Sequence, residues 1–120
     1  MQPLSIKTLV NESYTNAKEH GWHDKPRSVG DHIALMHSEL SEALEEYRKG
    51  RTPQEIYYVS KNPLVLGAPN KPEGIPIELA DCIIRIFDFC GLHKINLEEA
   101  LSLKMEYNKT RPYRHGNKVV

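Results

Sequence analysis

The chain carries its longest apolar run near the middle, at residues 77–90. When this run is wound as a helix at 100° per residue, its charged side chains fall within an arc of roughly 80°. These side chains are Glu78, Asp81, Arg85 and Asp88. The rest of the helix surface is apolar, which predicts that this is the most buried helix of the fold. Buried carboxylates are costly unless a positive charge meets them, and a metal ion is the obvious candidate.

Three other segments repeat their apolar positions at intervals of three and four residues, as amphipathic helices do. With the apolar run included, we predict four helices, to within about two to four residues at each end. They span residues 4–20, 29–49, 77–90 and 97–109. The predicted fold is all-α, with an antiparallel four-helix core.

Two helix starts carry a local signal. Ser28 with Asp31, and Asn96 with Glu99, have the spacing of a capping box, in which the first side chain accepts a hydrogen bond from a backbone N–H three residues on. They predict the first residues of the second and fourth helices.

Residues 50–76 are rich in proline and glycine, which excludes a continuous helix. We predict a long loop here, in which residues 54–60 have the length for a short helix. Pro76 suits the first turn of the third helix, and Gly91 suits its C-cap.

The second helix presents Glu39, Glu42 and Glu46 beside its apolar stripe, whereas Glu45 lies opposite the stripe. Carboxylates at the edge of a buried face can reach a cleft between helices. An E-x-x-E motif alone is more often a solvated face than a ligand pair. It supports a metal site only together with the carboxylates of the third helix.

Composition limits the class of protein. The 120 residues hold 16 basic and 16 acidic side chains, and they suffice for one domain, residues 1–120. This neutrality removes the charge expected of a general nucleic-acid binder, although the stretch from Lys104 onward is basic. Cys82 and Cys90 lie eight residues apart on one helix, too far for a disulfide, and predict reduced core residues. No run has the length to span a bilayer, so we expect a cytoplasmic protein.

The second and third helices each offer carboxylates at i and i+3, Glu39 with Glu42 and Glu78 with Asp81. Facing each other in a bundle, they would form an all-oxygen site, which favours Mg²⁺, with Mn²⁺ as a substitute. Di-iron bundles usually add a Glu-x-x-His motif on two helices, which this chain lacks. Mg²⁺ held by few carboxylates typically completes its shell with water and substrate phosphates. The pattern therefore favours hydrolysis at phosphorus.

Candidate phosphate-binding residues follow on the fourth helix and the tail. Lys104 and Asn108 continue an apolar stripe, so the lysine either meets an anion or snorkels past the core to water. Arg111 and Arg114 add positive charge. Trp22, after the first helix, suits a core plug at the helix end, or else a lid or base-stacking residue.

The ordered motifs resemble a known family. The chain contains, in this order, Glu39-x-x-Glu42, Glu78-x-x-Asp81 and Lys104-x-x-x-Asn108. This set resembles the MazG-like all-α nucleoside triphosphate pyrophosphohydrolases, and the likeness extends from Gly21-Trp22 to Arg111–Gly116. Two features depart from the family pattern: Ser38 stands where a second glutamate often opens the first motif, and residues 50–76 lengthen the separation between motifs.

The resemblance implies Mg²⁺-dependent cleavage of a nucleoside or deoxynucleoside triphosphate between the α and β phosphates, in clean-up of the nucleotide pool. Glu39, Glu42, Glu78 and Asp81 would be the catalytic metal ligands. Lys104, Asn108, Arg111, Arg114 and Trp22 would contact the substrate. The implied partners are the substrate and further copies of the chain, as a homodimer or homotetramer, without a membrane or a stable nucleic-acid complex.

Two other classes stay open at this point. In a non-catalytic helical interaction module, the carboxylates would be solvated faces that bind neither Mg²⁺ nor nucleotide. In a nucleic-acid accessory protein, the basic tail would give salt-dependent binding to DNA or RNA.

Overall fold

The computed structural model describes residues 4–60, 62 and 64–120, and the chain is mostly helical with one small antiparallel sheet. Lys61 and Pro63 of the predicted loop lie outside the described residues. The elements in chain order are α1 (Ile6–Glu19), α2 (Val29–Arg48), β1 (Tyr57–Ser60), β2 (Asn70–Glu73), α3 (Ile75–His93), α4 (Leu97–Lys109) and the single turn α5 (Arg114–Asn117). The four predicted helices correspond to α1–α4. Within the described ranges, no helix is long and apolar enough to cross a membrane.

The N-cap half of both predicted capping boxes is confirmed. The Ser28 side chain accepts a hydrogen bond from the Asp31 backbone N–H at 3.0 Å, and the Asn96 side chain accepts one from the Glu99 N–H at 3.0 Å. Pro76 lies in the first turn of α3, as predicted, where its missing N–H costs nothing. These local signals fix where the site-bearing helices begin.

α3 is the helix against which both α1 and α2 pack. α2 runs antiparallel to α3, because His32 near the start of α2 lies against Phe89 near the end of α3. Further along α2, Glu39 contacts Arg85, which lies one turn earlier on α3. The E-x-x-E and E-x-x-D motifs are therefore brought face to face.

The contact between α1 and α3 overturns one expectation. Gly91 does not cap α3, because the helix continues to His93 and Lys94 supplies the left-handed residue, with φ of 56°. A Cβ on Gly91 would lie 2.5 Å from the Cβ of Tyr14, so this glycine permits the close approach of α1. The buried apolar cluster between the helices consists of Val10, Phe87 and Cys90.

The prediction that the third helix is the most buried holds only in part. α3 and α2 each have four buried residues, and each also leaves an apolar face uncovered. On α3, Leu79, Ile83 and Ile84 are 44–48% exposed. On α2 the exposed apolar residues are Val29, Ile33, Leu40, Leu44 and Tyr47.

The predicted loop between the second and third helices is wrong over part of its length, as is the short helix at 54–60. β1 and β2 form a hairpin, in which Tyr57 pairs with Glu73 and Val59 with Lys71. Tyrosine and valine favour strands, and this outweighs the loop signal of the neighbouring prolines. Gly74, with φ of 126°, then leads the chain into α3. A side chain at this position would collide with the backbone of Glu55, just before β1.

α4 does not join the other helices in a four-helix core within one copy of the chain. It packs mainly on α1 and contains no buried residue. The radius of gyration is 17.6 Å, whereas a compact domain of this length has a value of roughly 14 Å. One copy is therefore more extended than a closed bundle.

Candidate metal centre and adjoining cavity

Three of the four predicted ligands converge between α2 and α3. Carboxylate oxygens of Glu39, Glu78 and Asp81 all lie within 4.8 Å of one another. Glu39 and Glu78 are buried, at 6% and 9% exposure, and Asp81 is half-buried. The i,i+3 spacing on α3 and the antiparallel packing of α2 produce this arrangement.

Glu42 lies at the exposed edge of the same cluster. It lies near enough to help raise the pKa of Glu78, although it does not belong to the tight group of three. The structure thus brings all four predicted carboxylates to one groove, with Glu42 on its outer side.

The clustered carboxylates perturb one another. Burial, followed by the hydrogen bond and charge of Glu42, raises the pKa of Glu78 to about 8. Burial and the charge of Glu39 also raise the pKa of Asp81, against an opposing effect of Arg85. Without a bound cation, the cluster therefore tends to retain protons.

Two carboxylate oxygens in this cluster have no hydrogen-bond partner among the described residues. They are Oε2 of Glu39 and Oε2 of Glu78, and both are buried. A buried carboxylate oxygen without a partner costs free energy, which a cation between the two side chains would offset. The donor set consists only of carboxylate oxygens, so the residues fit Mg²⁺ or Mn²⁺.

Arg85 belongs to this site, because its Nε donates to Oε1 of Glu39 at 2.7 Å. Asp88 lies further along the groove, where it contacts Nε2 of His23 at 2.7 Å. The partnership of Asp88 with His23 has no sequence signal, since 65 residues separate the two.

A cavity of about 290 Å³ adjoins the cluster. Glu39, Asp81 and Arg85 lie at one end of it, and Trp22 contributes from the connector after α1. Trp22 is 61% exposed and is therefore not a core plug at the helix end. The remaining lining residues are Ser13, Asn16, Ala17, His23, Arg27, His32, Leu35, Ile84 and Asp88.

Histidines line the far end of this cavity and were not predicted as site residues. His32 is buried, and its burial lowers its pKa, against the raising effect of Asp88. A neutral imidazole has one donor and one acceptor nitrogen. Together with Asp88 and Arg27, the two histidines supply the polar groups with which a pocket can recognise a heterocyclic ring.

The predicted phosphate-binding residues of α4 and the tail are elsewhere. Lys104, Asn108 and Arg114 are exposed, Arg111 is half-buried, and none of the four lines the cavity. Lys104 is not drawn inward along an apolar stripe, as its helical position suggested, but has its Nζ 5.0 Å from the Tyr107 ring. Within one copy of the chain these residues do not meet the carboxylates.

The groove ends at the base of the hairpin. The Tyr57 hydroxyl donates to both carboxylate oxygens of Glu46, at 2.9 and 2.8 Å. Glu46 is 4% exposed, and its hydrogen bond raises the pKa of Tyr57 to about 12. This contact ties the hairpin to the α2 helix that carries Glu39 and Glu42.

Comparisons of the chain with protein-family models, curated proteins and solved structures find no match.

Proposed function

We propose that this chain is a MazG-like nucleoside triphosphate pyrophosphohydrolase. It hydrolyses a nucleoside or deoxynucleoside triphosphate between the α and β phosphates, with Mg²⁺ bound by Glu39, Glu42, Glu78 and Asp81. Mn²⁺ substitutes for Mg²⁺, and the reaction serves to clean up the nucleotide pool.

The observation that carries this proposal is the pair of buried, unpartnered oxygens on Glu39 and Glu78. A merely solvated acidic face would expose these atoms to water. Glu39 and Asp81 also line the cavity, which favours catalysis over a structural ion, because a substrate would have access to the cation. Deprotonation of Glu78 on metal binding would release a proton, as expected when a ligand carboxyl has a raised pKa.

The adjoining cavity supports a nucleotide as the substrate. Its volume of about 290 Å³ is at the lower end of the range for small-molecule pockets. Trp22 offers an exposed ring on which a base can stack, and His23, His32 and Asp88 offer hydrogen-bonding groups at the far end. The nucleoside would then lie in the cavity, with its α-phosphate beside Asp81.

In the proposed reaction, the oxygen of a water molecule bonds to the α-phosphorus while the bond to the α,β-bridging oxygen breaks. The electron pair of that bond leaves with pyrophosphate, and the proton that the attacking water loses passes to the surrounding solvent. Mg²⁺, when bound, supplies an activated water and offsets phosphate charge. Asp81 and the three glutamates hold the cation in the groove, and Arg85 orients Glu39 through its 2.7 Å hydrogen bond.

We further propose that the functional protein is a homodimer or homotetramer. α2 and α3 both carry exposed apolar side chains, and contiguous apolar patches on a protein surface often mark contacts with another protein. α4 then completes an antiparallel helical core between copies. In such an assembly Lys104, Asn108, Arg111 and Arg114 reach the phosphates bound by a neighbouring copy.

A screen of the common ribo- and deoxyribonucleoside triphosphates with Mg²⁺ tests this function. We expect pyrophosphate and a nucleoside monophosphate as the products of at least one substrate. Release of inorganic phosphate would indicate cleavage at the γ-phosphate and would contradict the proposed bond. Absence of both turnover and Mg²⁺ binding in calorimetry would favour a non-catalytic helical module.

A further inference from the structure

The groove between α2 and α3 has a fixed order along its length. Because the two helices are antiparallel, His32 and Asp88 lie together at the cavity end, and Glu39 and Asp81 lie in the middle. At the other end, Glu46 contacts the hairpin that enters α3. The hairpin and the cavity thus lie on opposite sides of the carboxylate cluster.

The register of the hairpin determines which of its side chains face this groove. Tyr57 pairs with Glu73 and Val59 pairs with Lys71, so these four residues share one face of the two-stranded sheet. The Tyr57 hydroxyl reaches Glu46 on α2, so this is the face turned toward the helices. Lys71 is therefore on the groove side of β2.

The Lys71 ammonium has one ion-pair partner, among the described residues, and remains accessible. Its Nζ lies 3.3 Å from Oε1 of Glu73, and its side chain is 53% exposed. Glu73 raises the pKa of Lys71 most, and the charges of Glu78 and Asp81 raise it further. Conversely, Lys71 opposes the effect of burial on the pKa of Asp81. The ammonium is thus within electrostatic reach of the metal ligands.

We propose that Lys71 binds the β and γ phosphates, the part of the substrate that leaves as pyrophosphate. The inference rests on the proposed function and adds the direction in which the triphosphate lies along the groove. With the nucleoside in the cavity and the α-phosphate at the carboxylates, the remaining phosphates extend toward the hairpin. Lys71 then exchanges its contact with Glu73 for a phosphate oxygen and stabilises the negative charge of the leaving group.

Two other cations near the hairpin base are less suited to this role. Arg51 is engaged by Glu55 at 2.5 Å and stacks over the Tyr57 ring at 3.8 Å. Lys49 follows the last turn of α2, with its Nζ 3.9 Å from Glu46. Neither is among the main charges that shift the pKa of Glu78 or Asp81.

Lys49 also provides a matched control. It resembles Lys71 in exposure, at 59% against 53%, and it likewise pairs with a glutamate that the Tyr57 hydroxyl contacts. We compare the parent protein with Lys71→Met, Lys71→Arg and Lys49→Met. The probe is inorganic pyrophosphate in the presence of Mg²⁺, measured by calorimetry, because it represents the leaving group without a choice of base.

We expect Lys71→Met to bind pyrophosphate about tenfold more weakly than the parent, the effect of losing one charge-assisted contact. Lys71→Arg should recover most of the affinity, and Lys49→Met should match the parent. Binding of Mn²⁺ alone should not weaken in Lys71→Met, because removing a nearby cation does not disfavour a metal ion. A nucleoside monophosphate that is a reaction product should bind to Lys71→Met as it does to the parent.

Equal pyrophosphate affinity of Lys71→Met and Lys49→Met would overturn the inference, and so would a parent that hydrolyses triphosphates but binds no pyrophosphate. Either result would leave the proposed function intact. A parent that neither hydrolyses any triphosphate nor binds pyrophosphate would overturn both. Weakened monophosphate binding in Lys71→Met would instead indicate a general disturbance of the groove and contradict a leaving-group role.

Discussion

The carboxylates and the cations predicted to share one site lie in different settings. Glu39, Glu78 and Asp81 converge because α2 and α3 pack along their lengths in opposite directions. Lys104 and Asn108 are exposed on α4, which packs mainly on α1 and has no buried residue. Helical periodicity identifies which residues share a face, whereas the packing of the helices determines what that face contacts. In the proposed oligomer, one copy would supply the carboxylate half of the site and a second copy would supply the cation half.

The largest effect is expected for the carboxylate half. Asp81→Asn removes one negative ligand charge but retains the shape of the side chain. We expect turnover to fall by more than about a hundredfold, since this change weakens the binding of the cation and also disturbs its position. The measurement is pyrophosphate release under saturating substrate, together with circular dichroism to verify the fold.

Glu45→Gln is the matched control for this change. Glu45 lies on the same helix as Glu39 but is exposed, and its ion pair is with Arg48 at 3.7 Å. Turnover should stay near the parent value. Activity of Asp81→Asn within a few-fold of the parent would place the metal site elsewhere.

The carboxylate cluster should make the stability of the metal-free protein depend on pH. The ordinary pKa of the Glu78 carboxyl is 4.5, and in the folded protein this pKa is raised to about 8. Between these two pH values, Glu78 retains a proton in the folded protein that it releases in the unfolded chain. The free energy of unfolding should therefore fall as pH rises through this window, on the order of 2–4 kcal/mol between pH 5 and 8. Denaturant unfolding in the presence of EDTA measures it.

Glu78→Gln stays neutral and should show a flatter dependence in the same buffers. Saturating Mg²⁺ should reduce the loss at pH 8 in the parent, because the cation stabilises the deprotonated carboxylates. Identical pH dependence of the parent and Glu78→Gln would show that this carboxyl is not the group that titrates.

The cation half is tested by Lys104→Ala. We expect catalytic efficiency to fall roughly ten- to a hundredfold, from the loss of one charge-assisted phosphate contact. Mg²⁺ binding without nucleotide should not change. Lys109→Ala is the control, because Lys109 is exposed on the same helix and pairs with Glu106 at 2.9 Å. Kinetics equal to the parent would mean that Lys104 only extends into water.

A mixture of two variants tests whether residues from two copies of the chain form one site. Asp81→Asn and Lys104→Ala are each expected to be impaired as uniform oligomers. If α4 acts on a neighbouring copy, co-refolded mixed oligomers contain some sites with both an intact Asp81 and an intact Lys104. Activity should then exceed the average of the two variants, whereas strict additivity would contradict a shared site.

The smallest effect is expected at the cavity entrance. Trp22→Ala should raise KM about fivefold with little change in kcat, since stacking on a base is worth on the order of 1 kcal/mol or more. Trp22→Phe should retain most of the affinity. Tyr58→Ala, which removes an aromatic ring that is 67% exposed on the other face of the hairpin, should match the parent.

Sequence patterns predicted the helices and their N-terminal ends well, because these depend on neighbours within a few residues. Ser28 and Asn96 each satisfy a backbone N–H three positions away, so the signal and its structural effect lie in the same short segment. The carboxylate cluster was predictable for a similar reason. Its two motifs are local, and antiparallel packing of adjacent helices brings them together.

Features that depend on distant partners were missed or misread. Gly91 has the local character of a helix cap, but the side chain of Tyr14 on another helix determines its role. Residues 57–60 lie among turn-forming residues, and the hydrogen bond from Tyr57 to Glu46 that anchors the strand spans two separate elements. His23 and Asp88 meet across 65 residues, and no periodicity predicts such a pair.

The hairpin is anchored at its base and open at its tip. Tyr57 contacts Glu73 and also Glu46 of α2, whereas Leu64 and Leu66 toward the tip are 94% and 103% exposed. Insertions at such a tip cost little, because the loop-closure entropy grows slowly with length. The tip is therefore a position at which evolution, or a protein engineer, can vary chain length and side chains while the two ligand-bearing helices keep their geometry.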